Sequence, residues 1–228
     1  MIDAHRGAPS GFAQAFNAGY DYVEFDVRKT QSGRLVVQHD PDPPEDALPL
    51  DTLLDLAAGS TSHLHADLKE PGCEPETVRK LLARFPSDHF VVTGPDASVL
   101  RVKAEFPDVQ AGLTLGEDLD HVPAWRRVPI RLSELFPGDR VRRSRADFVA
   151  VHQRLARATV LLYCARHALP AWVWTVDDQA QIQRFLGDRR VAVLITNRPD
   201  LAARLRAGGV SSPHRGEVRP QGGEGVRP

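Results

Sequence analysis

Excess charge of either sign is missing from this sequence. It has 29 lysines and arginines against 30 aspartates and glutamates, a net charge of −1. That balance gives no electrostatic case for nucleic acid or an anionic membrane surface as partner. Cysteine is scarce too: Cys73 and Cys164 are the only two. They form neither a CxxC pattern nor a disulfide framework, which argues against disulfide-stapled folds and thiolate metal sites. No apolar run approaches the ~20 residues that span a bilayer. No basic region followed by an apolar stretch opens the chain as a secretion signal would. The expectation is a cytoplasmic protein in a reduced compartment, with no membrane insertion and no nucleic acid partner. The oligomeric state is not legible.

What the chain does have is alternation. Hydrophobic residues make up 42% of it, enough for a sizeable core. Short apolar runs such as MIDAH, YVEFDVRKT, HLHADLK and FVVTG alternate with amphipathic segments such as PETVRKLLARF. RLVVQHD is a further β-rich run, joined to YVEFDVRKT through the turn signal QSG. The segment 118–147 is ambiguous, with a helical piece in WRRVPIRLSELF and a polar stretch in GDRVRRSRAD. Eight strand–helix units follow one another. An open doubly wound α/β sheet would also alternate, but the number of units favours a single-domain (β/α)8 TIM barrel over residues 1–207. Residues 208–228, rich in Gly, Pro and Arg, read as a disordered tail.

In such a barrel the active site forms where the strands end. The first predicted strand ends at His5 and Arg6. The second carries Glu24 and Asp26, two apart and so on one face. Two carboxylates converging on an apolar strand repel each other and are costly to bury. A hard divalent cation, which prefers carboxylate oxygen, is the usual remedy. The next run delivers His39, and HADLK places Asp67 and Lys69 on one face. His63 and His65 share that face, with His65 expected deeper in the interior and His63 at the strand start. Of Trp172 and Trp174, one is expected to face the barrel centre. Cys73 lies near the mouth with no histidine arrangement to activate it.

His5-Arg6-Gly7, Glu24-Phe25-Asp26, His39-Asp40 and Asp67-Leu68-Lys69, in that order, resemble the glycerophosphodiester phosphodiesterase family. VWTVDD is similar to that family's WTVN-type strand, and LITNRPD to its closing TDRPD-type strand. The resemblance covers residues 2–205. It implies that Glu24, Asp26 and Asp67 hold one divalent metal, Mg²⁺ or Ca²⁺. It also implies that His5 and His39 are general acid and base, that Arg6 and Lys69 bind phosphate oxygens, and that Trp174 lines the substrate mouth. The implied substrate is a small-molecule phosphodiester, hydrolysed to an alcohol and a phosphomonoester, in some cases through a cyclic phosphate.

The chain departs from the family in three places. Where the family has PENT, this chain has Pro9-Ser10-Gly11-Phe12, so polar support near His5 is expected to be missing. The third acid is Asp67 rather than Glu, as in sphingomyelinase D-like barrels. The insertion after the His-Asp pair is nearly absent. Two alternatives therefore stand beside hydrolysis: a sphingomyelinase D- or phospholipase D-like lyase releasing a cyclic phosphate, and a non-catalytic barrel that binds a phosphodiester.

Overall fold

The structure is a computed structural model that describes residues 1–208 apart from Pro9, Asp118, Asp120 and His121. The predicted tail therefore lies, beyond Gly208, outside the described residues. Eight parallel strands close a barrel: β1 (Ile2–Ala4), β2 (Tyr22–Lys29), β4 (His63–Leu68), β5 (Phe90–Gly94), β6 (Gln110–Leu115), β7 (Phe148–His152), β8 (Ala171–Trp174) and β9 (Val191–Thr196). The seam is made by β1, which pairs with β9 on one side and β2 on the other. The remaining strand, β3 (Leu35–Val37), runs antiparallel to β2 as a hairpin outside the closed ring.

Helices cover the outside. They are α1 (Phe12–Ala18), α2 (Leu50–Ala57), α3 (Glu74–Leu82), α4 (Asp96–Glu105), α5 (Ala124–Leu135) and α6 (Gly138–Ser144), then α7 (Gln153–Leu155), α8 (Leu161–Arg166), α9 (Gln179–Leu186) and α10 (Pro199–Gly208). The ambiguous segment thus resolves into two helices, α5 and α6. A π-helical stretch, Ala156–Val160, joins α7 to α8.

The period-two pattern of the strands divides the residues between two cores. Val23, Phe25 and Val27 of β2 point outward and join the large apolar layer beneath the helices. A second cluster, including Val91, Phe148, Trp172, Val193 and Ile195, fills the barrel interior. Gly112 makes room for it: a Cβ there would stand 2.3 Å from the Phe148 ring. Trp172 stacks on Phe148, with ring centroids 4.6 Å apart. Trp174 packs against this interior cluster from the mouth. The expectation that only one of these tryptophans could face the centre is therefore corrected: residues two apart on a strand share a face. His65 lies inside the barrel as expected, with its ring edge on Trp172.

Candidate active site

All the charged residues singled out in the sequence come together at one end of the barrel. His5, Arg6, Glu24, His39, Asp67 and Lys69 line a cavity of about 800 Å³ together with Glu117 and Trp174. Each is placed by a strand end. The first strand stops at Ala4, and His5–Gly7 form a single 3-10 turn. Gly7 takes φ +62°, and a Cβ on it would meet the Phe12 ring at 2.8 Å, so a side chain has no room there. Arg6 also adopts a left-handed conformation, φ +53°, which is uncommon for a residue with a Cβ. Both of its ends are held: its backbone N–H donates to Glu24 Oε2 at 2.8 Å, and its Nε lies 2.9 Å from Asp26 Oδ2.

Glu24, Asp26 and Asp67 are all buried, and one oxygen of each lies within 4.8 Å of the others. The Lys69 ammonium sits among them. It bonds to Asp67 Oδ2 and lies 3.1 Å from Asp26 Oδ1. That approach is an ion pair only, since Asp26 Oδ1 has no hydrogen-bond partner. Burial, followed by the Asp26 and Asp67 charges, pushes Glu24 well above the ordinary carboxylate range. Burial works the same way on Asp67, but the Lys69 charge, with hydrogen bonds from Lys69 and Thr93, outweighs it and holds Asp67 well below that range. Lys69 is raised despite burial, because Asp67, Asp26 and Glu24 surround it. Three buried carboxylates, one of them ionised at a cost and one oxygen left unbonded, are a hard-oxygen donor set. That set fits a Mg²⁺ or Ca²⁺ ion.

The structure adds groups the sequence reading missed. Thr93 Oγ1 donates to Asp67 Oδ1 at 2.6 Å, His65 Nε2 lies 2.8 Å from Thr93 Oγ1, and His65 Nδ1 lies 2.6 Å from Asp3 Oδ2. This buried chain, running from Asp3 through His65 and Thr93, fixes the orientation of Asp67 from inside the barrel.

On the other side of the site, His5 Nδ1 lies 2.8 Å from Asn197 Oδ1. The Asn197 amide cannot be reversed, because its Nδ2 donates to Asp177 Oδ2 at 2.7 Å and its backbone N–H to Asp177 Oδ1 at 2.8 Å. An acceptor facing Nδ1 places the hydrogen there, leaving Nε2 of the neutral ring bare. That Nε2 faces Glu24 Oε2 at 3.9 Å. Burial, foremost, lowers the His5 pKa from its ordinary value; the Asn197 hydrogen bond opposes this only in part. The support expected to be lost with the PENT residues thus comes instead from Asn197, just after β9, and Asp177, after β8. A signal was present in the sequence: against WTVN and TDRPD, Asp177 and Asn197 carry the same two residue types exchanged.

His39 is held differently. The β2–β3 hairpin ends in a Gln38 N–H bond to Asp26 O at 3.1 Å, and Arg28 Nε donates to His39 O at 2.8 Å. Its ring Nδ1 lies 2.9 Å from the exposed Asp40, whose carboxyl is lowered, first by that hydrogen bond. Cys73 takes no part: it is buried, donates to Glu70 O at 3.0 Å, and its thiol is pushed up to about 12 by burial. His63 packs on Tyr22 and His89 at the far end of β4.

Residues 5–69 match the model of the glycerophosphoryl diester phosphodiesterase family. No curated protein matches the chain. Solved structures match its fold. A putative glycerophosphoryl diester phosphodiesterase from Agrobacterium tumefaciens is 21% identical, with a TM-score of 0.73 over 91% of this chain and 97% of that one. A glycerophosphodiester phosphodiesterase from Parabacteroides distasonis is 16% identical, with a TM-score of 0.72 over 91% and 97%. An Oleispira antarctica phosphodiesterase, solved with its product sn-glycerol-3-phosphate, is 16% identical, with a TM-score of 0.69 over 90% and 96%. From His5 to Lys69 the chain matches the model of the glycerophosphoryl diester phosphodiesterase family, and it shares with the solved structures a (β/α)8 barrel fold.

Proposed function

We propose that this protein is a metal-dependent phosphodiesterase that hydrolyses glycerophosphodiester-type substrates to an alcohol and a phosphomonoester. One observation carries the reading: a cluster of three buried carboxylates, two of which line an open cavity together with two cationic side chains and two histidines. Glu24, Asp26 and Asp67 would hold a Mg²⁺ or Ca²⁺ ion. When bound, such an ion supplies Lewis-acid neutralisation of phosphate oxygens. Arg6 and Lys69 exchange their present carboxylate partners for phosphate oxygens, and Trp174 walls the substrate end of the cavity.

The histidines divide the proton work. His5, with Nε2 bare and only a neutral amide behind it, takes the proton of the attacking hydroxyl as that oxygen bonds to phosphorus. The bond from phosphorus to the leaving alcohol oxygen breaks, and His39, backed by the Asp40 carboxylate, gives that oxygen a proton. Where a neighbouring substrate hydroxyl attacks, the product is a cyclic phosphate, and water opens it with the two histidines in exchanged roles. The two free, buried cysteines agree with a cytoplasmic setting. The barrel over residues 1–207 is read as the single domain.

Phosphorus NMR of glycerophosphodiester turnover tests this. Phosphomonoester should accumulate with Mg²⁺ or Ca²⁺ and stop in excess chelator. A persistent cyclic phosphate supports the lyase that Asp67 and the short connection after His39 leave open. Turnover undiminished by chelator, or no turnover at all, contradicts the proposal.

A further inference from the structure

The helix α5 turns an apolar face outward. Trp125, Val128, Leu132 and Phe136 are 72%, 64%, 52% and 69% exposed. Their spacing of three, four and four residues sets them in one stripe, widened by the exposed Pro129. The opposite side is tied down. Glu134 is buried and accepts from Gly116 N at 2.9 Å, and Arg131 donates to Glu117 O at 2.7 Å. Gly116 and Glu117 follow β6, and Glu117 lines the catalytic cavity. The exposed stripe is thus carried on a helix hydrogen-bonded to the rim of the site.

Charge identifies what this face meets. Within α5 itself Arg126, Arg127 and Arg131 stand against Glu134 alone, a net charge of +2 in a chain whose total is −1. Arg126 borders the stripe and lies over the Trp125 ring, 4.6 Å from its centroid. Tryptophan and phenylalanine on an apolar face bordered by arginine are the composition of a helix that lies in a lipid interface. Two copies of this chain meeting through the face would bring like charges together.

We propose that α5 docks the mouth of the barrel on an anionic lipid bilayer, its apolar stripe in the headgroup boundary and Arg126 on the lipid phosphates. The docking stands on its own. Its corollary, that the phosphodiester is drawn from a lipid, rests on the function proposed above. The near-neutral total hid this face, because the remaining residues carry the compensating negative charge.

The test is co-sedimentation of the full chain with phosphatidylcholine vesicles, with and without about a third phosphatidylglycerol, beside hydrolysis of a water-soluble glycerophosphodiester. The chain should sediment with the anionic vesicles only, and less as salt rises past about 0.1 M. The Trp125→Ser/Leu132→Ser/Phe136→Ser variant should lose at least tenfold in vesicle affinity while keeping its circular dichroism and its soluble-substrate rate. Failure of the chain to bind anionic vesicles, or equal binding by the variant, overturns the proposal. So does a wild-type dimer, dissociated by the variant, that ignores vesicles. Vesicle binding without soluble turnover would overturn the function and leave the docking intact.

Discussion

His5 stands at the end of the first strand with its side chain 14% exposed, braced across the barrel seam by Asn197 and Asp177. His39 stands outside the ring on a hairpin with its side chain 47% exposed, and its partners, Arg28 and Asp40, are near neighbours in sequence. The first is positioned by the closure of the whole barrel, the second by a local turn. The comparison teaches that one fold can hold one histidine rigidly and leave another open to solvent. It also explains why the two histidines face unlike partners, a neutral amide and a carboxylate.

Removing the histidines should break this comparison most strongly. General acid–base groups contribute about 10²–10⁴-fold. We expect His5→Ala to lower kcat by about 10³-fold and His39→Ala by about 10²-fold on a glycerophosphodiester. With a p-nitrophenyl leaving group, which needs no proton, His39→Ala should recover most of its rate and His5→Ala should not. Equal recovery by both would erase the division of roles.

A smaller effect sharpens the same contrast. Burial lowers the His5 pKa, so the neutral base persists as pH falls, and the acid limb of kcat/KM should lie below the ordinary histidine value of about 6.5. Asn197→Asp places a negative charge beside Nδ1 and raises that pKa. The acid limb should then move to higher pH, with a loss of about tenfold in kcat from the disturbed Asp177 contact. An acid limb unmoved by Asn197→Asp would mean that His5 is not the base.

Much of the barrel could be read from alternation, because strands buried on both faces are apolar and their polar interruptions stand out. Glu24, Asp26, Asp67 and Lys69 were legible for that reason: period-two spacing puts charged groups on one face of a strand. Their supporting groups were not. Asn197 reaches His5 across 192 residues and Thr93 reaches Asp67 across 26. Such contacts exist only once the strands pair in register. Thr93 and Asn197 have no local pattern of their own, although the exchange of Asp and Asn between the last two strand motifs was visible. The face of α5 escaped for another reason: a whole-chain charge balance cannot show clustering.

The central claim is that Glu24, Asp26 and Asp67 form one divalent-cation site between the two histidines. A crystal soaked in Mn²⁺ and measured for anomalous scattering tests it directly. The account predicts one strong peak at about 2.0–2.6 Å from oxygens of those three carboxylates, with the Lys69 ammonium displaced from among them. No peak there, or Lys69 still seated between Asp26 and Asp67, would contradict it.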